Sequence, residues 1–64
     1  MNTATTHTAD EFVDALIDFL LASKEGSPSL SLRSHLAKAR AEAQRRLTAE
    51  QYSSAVFVAH HVAG

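Results

Sequence analysis

The stretch LRSHLAKARAEAQRRLTAEQYSSAVFVAHHVA, Leu32 to Ala63, decides the fold. It spans half the chain without glycine or proline and is dense in Ala, Leu, Arg and Glu, which lose little side-chain freedom in a helix. Its first part, about Leu32 to Leu47, carries a thin stripe of Leu32, Leu36, Ala39, Ala43 and Leu47 at helical spacing. Then comes Leu47-Thr48-Ala49-Glu50-Gln51, where Thr48 and Gln51 form a capping-box pattern that starts a further helix, about Ala49 to Val62. Phase agrees with a break. On one continuous helix the stripe of Tyr52, Ala55, Val56, Ala59 and Val62 points about 180° away from Leu32, Leu36 and Leu47. A bend at Thr48 turns both stripes inward. The rival reading keeps one straight helix with two neighbours, as in a dimer, placing Phe57 and Val58 near the Leu32 stripe and Tyr52 and Val56 against the other copy. The break is favoured.

Upstream, Glu25-Gly26-Ser27-Pro28-Ser29 is the one breaker cluster. Gly26 suits a left-handed helix end, Pro28 blocks continuation, and Ser29 or Ser31 is the next N-cap. Leu30 is expected as a plug under this turn. A short connection folds the following helix back antiparallel on the one before it. That first helix, about Ala9 to Lys24, starts at Thr8 as N-cap, with Glu11 in capping-box position and Asp10 adding charge to the first turn. Phe12, Leu16, Phe19 and Leu20 form its stripe, widened by Val13, Ile17 and Leu21, while Glu11, Asp14 and Asp18 share the opposite face. The apolar arc covers roughly half the circumference, more than one neighbouring helix hides. Residues 1–8, rich in threonine and small residues, read as a flexible tail. Residues 9–64 read as one helical domain.

At 64 residues the chain has room for one core and no second. A domain of this size buries only about 60% of the surface that its unfolded chain exposes. It therefore leans on disulfides, a metal, a partner or close helix packing. Cysteine is absent, which removes disulfides and thiolate metal sites. The large apolar residues outnumber what three stripes turn inward, so self-association is expected. Net charge is −1, with no global pull toward nucleic acid or anionic lipid. The distribution is uneven: residues 1–31 hold five acids against Lys24, net −4, and residues 32–64 hold five bases against two acids, net +3. An acidic helix beside a basic one points to mutual neutralisation. No apolar run approaches the roughly 20 residues of a membrane span, and the N-terminus lacks the basic and apolar regions of a secretory signal, so the chain reads as cytoplasmic.

Candidate chemistry is thin. His60 and His61 diverge by about 100° on a helix and do not share a site. His35 has no His, Asp or Glu three or four positions away. Asp14 and Asp18, an i, i+4 carboxylate pair, sit on the solvated side, without the dry pocket that shifts such pairs toward acid–base work. No phosphate-binding loop or nucleophile elbow is present. No enzyme activity, metal, cofactor or small-molecule substrate is expected. The first helix as a membrane-surface helix has the wrong sign on its polar face for anionic lipid. Arg33 and Arg40 lie on one flank of the second helix and Lys38 and Arg45 on the other, a spacing able to straddle a phosphate backbone.

The sequence therefore points to an all-α fold: an antiparallel helical hairpin plus a third helix continuing from the second, homodimeric. The expected role is a non-enzymatic protein-interaction module, a regulator or inhibitor that docks on a partner protein. Ile17, Leu21, Tyr52, Phe57, Val58 and His61 are the expected dimer or partner contacts. A histidine such as His61 in that interface would make association pH-sensitive. The alternatives are a nucleic-acid-binding regulator using Arg33 and Arg40, and a structural subunit of a larger assembly.

Overall fold

The computed structural model describes residues 3–64, with side chains from His7 onward. These residues form three helices and no strand: α1 (Thr3–Glu25), α2 (Leu30–Arg46) and α3 (Ala49–Ala63). The break at Thr48 is real. Its Oγ1 accepts from the Gln51 amide at 3.1 Å, and the Gln51 Oε1 accepts from the Thr48 amide at 2.9 Å, the reciprocal capping box. Leu47 and Thr48 are in extended conformation, so α3 leaves in a new direction with its first turn already satisfied. Ser29 caps α2 by accepting from the Leu32 amide at 3.2 Å. Gly26, at φ +150°, supplies the backbone turn between α1 and α2 in a region costly for any side chain.

Two local expectations give way. Helix α1 begins at Thr3, so Thr8 is not an N-cap but a buried residue inside the helix, and the expected tail of residues 1–8 is helical over the part described. Met1 and Asn2 lie outside the described residues. Threonine is only mildly unfavourable in a helix, and burial of Thr8 and Ala9 outweighs that cost. Leu30 is not a plug. As the first residue of α2 it lies on the side away from Leu36 and is 80% exposed.

Helix α1 packs against both α2 and α3, which touch each other only sparsely. The buried apolar set among the described residues is four large side chains, Phe12, Leu16, Leu36 and Leu47, and six alanines, of which Ala43 and Ala59 are completely enclosed.

 The six alanines are Ala15, Ala39, Ala43, Ala55, Ala59 and Ala63, and Ala9 is half-buried against this core. Small residues on α2 and α3 let the backbone of α1 come close on both sides. Phe12 is nearly fully buried and stacks on Tyr52, ring centroids 4.9 Å apart. At the other end the Lys24 ammonium donates to the Ala63 carbonyl, closing the C-terminal end of α3 with a cation. With Phe12 level with Tyr52 and Lys24 level with Ala63, α1 and α3 advance in the same direction.

The expected stripe of α2 is the buried one, with Leu32 only partly covered. On α3 the inward stripe is Ala55, Ala59 and Ala63 flanked by Tyr52 and Val56, and Val62, expected inside, is exposed. The expected neutralisation between helices is also absent: among the described residues the ion pairs, Glu42 to Arg45 and Arg46, lie within α2, and the His7 to Glu11 contact lies within α1. Among the described residues no helix is long and apolar enough to cross a membrane.

Candidate interaction surface

Helix α3 is apolar on two sides. Its inner side presents alanines to α1, while the larger residues Phe57, Val58 and Val62 are exposed, Phe57 pointing away from α1 and Val58 bordering it. Their spacing explains this. Ser54, Phe57, Val58, His61 and Val62 follow an i, i+3, i+4, i+7, i+8 pattern, the signature of one helical face. At about 100° per residue the middle of that face lies about 110° from the line of Ala55 and Ala59, so Phe57 and His61 point away from the core while Val58 and Val62 border its edge. Phe57 is 73% exposed, Val62 62% and Val58 43%. The Phe57 ring lies nearly parallel to the His61 ring one turn on, at a centroid distance of 6.3 Å, which gives the exposed phenyl a neighbour on its own helix.

The other expected contact residues are distributed differently. Leu21 of α1 is exposed, whereas Ile17 is half-buried against the core. Tyr52 is half-buried too and is committed to Phe12, so it belongs to the inner side of α3. Val62 and Leu30 are exposed apolar residues that the sequence reading placed inside. Helical phase carried no signal for Val62, since seven residues place it within about 20° of Ala55; its exposure depends on how far α1 covers that side of α3.

Arg33 and Arg40 are exposed on α2. Arg45 and Arg46 both hold Glu42, Arg46 through Nε at 2.8 Å. The hydrogen bond from Arg45, with that from Arg46 and the charge of both guanidinium groups, holds the Glu42 carboxyl below its ordinary range despite an opposing push from desolvation. His35 and Lys38 border a shallow depression with Leu30, Ser31 and Ser34 at the start of α2. Asp14 and Asp18 are exposed. Among the described residues no group of three or more His, Cys, Asp or Glu side chains converges as metal ligands would.

No family model, curated protein or solved structure matches the chain.

Proposed function

We propose that this chain is a non-enzymatic protein-interaction module that docks on a partner through the outer face of α3. One observation carries the reading: α3 turns its alanines inward and its Phe57, Val58 and Val62 outward. A helix serving only its own core has the reverse arrangement, because burying phenyl and isopropyl groups is worth about 1.5–3 kcal/mol each. Exposed apolar side chains gathered on one face mark an interaction surface, whereas scattered ones need no explanation. The proposal includes an antiparallel fold-back of α2 on α1, since Gly26–Ser29 is a short connection. It also places the protein as a small regulator or inhibitor acting by occupancy. Closure of the same face by a second copy, giving a homodimer, is the competing occupancy.

The test compares wild type with Phe57→Glu. Loss of a stoichiometric protein partner in a pull-down, with unchanged helical circular dichroism, supports docking through α3. Equal recovery by both chains removes Phe57 from the role. A second reading, nucleic-acid binding through α2, draws support from the exposed Arg33 and Arg40 on a helix that carries five bases against Glu42. It requires salt-dependent retardation of duplex DNA that Arg33→Gln/Arg40→Gln abolishes, and unchanged mobility at low salt disposes of it.

A further inference from the structure

The outward face of α3 continues into a neighbouring groove. Val58 borders a shallow depression between α1 and α3 whose apolar lining is Ala9, Val13 and Ala55 and whose polar lining includes Asp10 and Glu50. Both acids are exposed, and neither has an ion-pair partner among the described residues. The charges of the whole molecule are segregated in the same sense. Helices α1 and α3 together carry six acids against Lys24, net −5, while α2 carries five bases against Glu42, net +4. Lys24 itself is turned to the Ala63 carbonyl.

This pattern selects among occupants. Apposing the face to its own copy brings acids against acids, which costs association. Phosphate-bearing partners, whether nucleic acid or anionic lipid, meet the same repulsion. A helix with an apolar stripe and lysine or arginine flanks satisfies both the groove and its acids, in the manner of helix-in-groove recognition. Resting on the docking role proposed above, we infer that the α1–α3 groove and the adjoining outer face of α3 receive a basic amphipathic helix of a partner protein. Its apolar side lies on Val13, Val58 and Phe57, and its cations face Asp10 and Glu50.

The experiment uses two synthetic amphipathic peptides of one pattern, Leu/Lys and Leu/Glu, titrated calorimetrically into the full chain. The wild type, Phe57→Ser and Asp10→Asn/Glu50→Gln are compared, and the mass of each unliganded chain is measured in parallel. The Leu/Lys peptide is expected to bind one-to-one, about tenfold or more tighter than Leu/Glu, and to weaken with salt. Phe57→Ser and the double charge variant, each retaining its circular dichroism, are both expected to lose about tenfold in affinity. Equal binding of the two peptides, or indifference to the charge variant, overturns the basic partner and leaves the docking role standing. A wild-type dimer that Phe57→Ser makes monomeric assigns the face to a second copy and likewise overturns it. A monomer that binds neither peptide removes this inference, and the pull-down then judges the docking role separately.

Discussion

Glu42 shows how little of this molecule's electrostatics acts at long range, because its cations sit three and four residues away on the same exposed helix. A carboxyl held below its ordinary range in the folded state contributes stability above the unfolded pKa, and that contribution is lost as pH falls through the folded value. Glu42→Gln is therefore expected to melt slightly below wild type at neutral pH. The gap should close in acid below about pH 4.3, the unperturbed glutamate value. Melting curves at several pH values check this, and a gap that persists in strong acid contradicts it. Leu30 makes the opposite point. Being largely exposed at the start of α2, its replacement by serine is expected to change stability by no more than about 0.5 kcal/mol in chemical denaturation, where a buried plug would cost several times that.

At the scale of the elements, the caps and the alanines set the geometry. Thr48→Ala removes one half of the capping box and is expected to cost about 1 kcal/mol. Ala59→Leu forces a larger side chain between α3 and α1 at a completely enclosed position, for a cost of about 1–3 kcal/mol. Urea denaturation measures both, and an Ala59→Leu variant as stable as wild type would show that α1 and α3 are not in close contact there. These two sites also mark what was legible in sequence. The break at Thr48 was readable because a capping box is local chemistry between Thr48 and Gln51, and the α2 stripe because its spacing is regular. The start of α1 was misplaced because Thr8 has the side chain of a cap, while its burial depends on helices far along the chain. Val62 was misplaced because phase sets it beside Ala55, while its exposure depends on how far α1 covers that side of α3. The outer residues Phe57 and Val58 were legible from phase alone; what covers them depends on another surface.

Taken as a whole, the molecule depends on α1, since α2 and α3 touch each other only sparsely and each packs on it. Two helices joined by a capped bend have little apolar area in common, so removing their shared support should release both. Phe12 is the test position, nearly fully buried and stacked on Tyr52. Phe12→Ala is expected to cost about 3–5 kcal/mol. At roughly 0.05–0.15 kcal/mol per residue, the total stability of so short a chain is of similar size, so far-UV circular dichroism at 25 °C should fall sharply. Hydrogen exchange distinguishes a common loss from a local one. If α1 is the shared support, amides of α2 and α3 lose protection together in Phe12→Ala, and both regain it together when a stabilising osmolyte is added. Protection lost from α3 while α2 keeps its own would mean that α1 and α2 stand without the third helix, and the dependence of both arms on one central helix would be wrong.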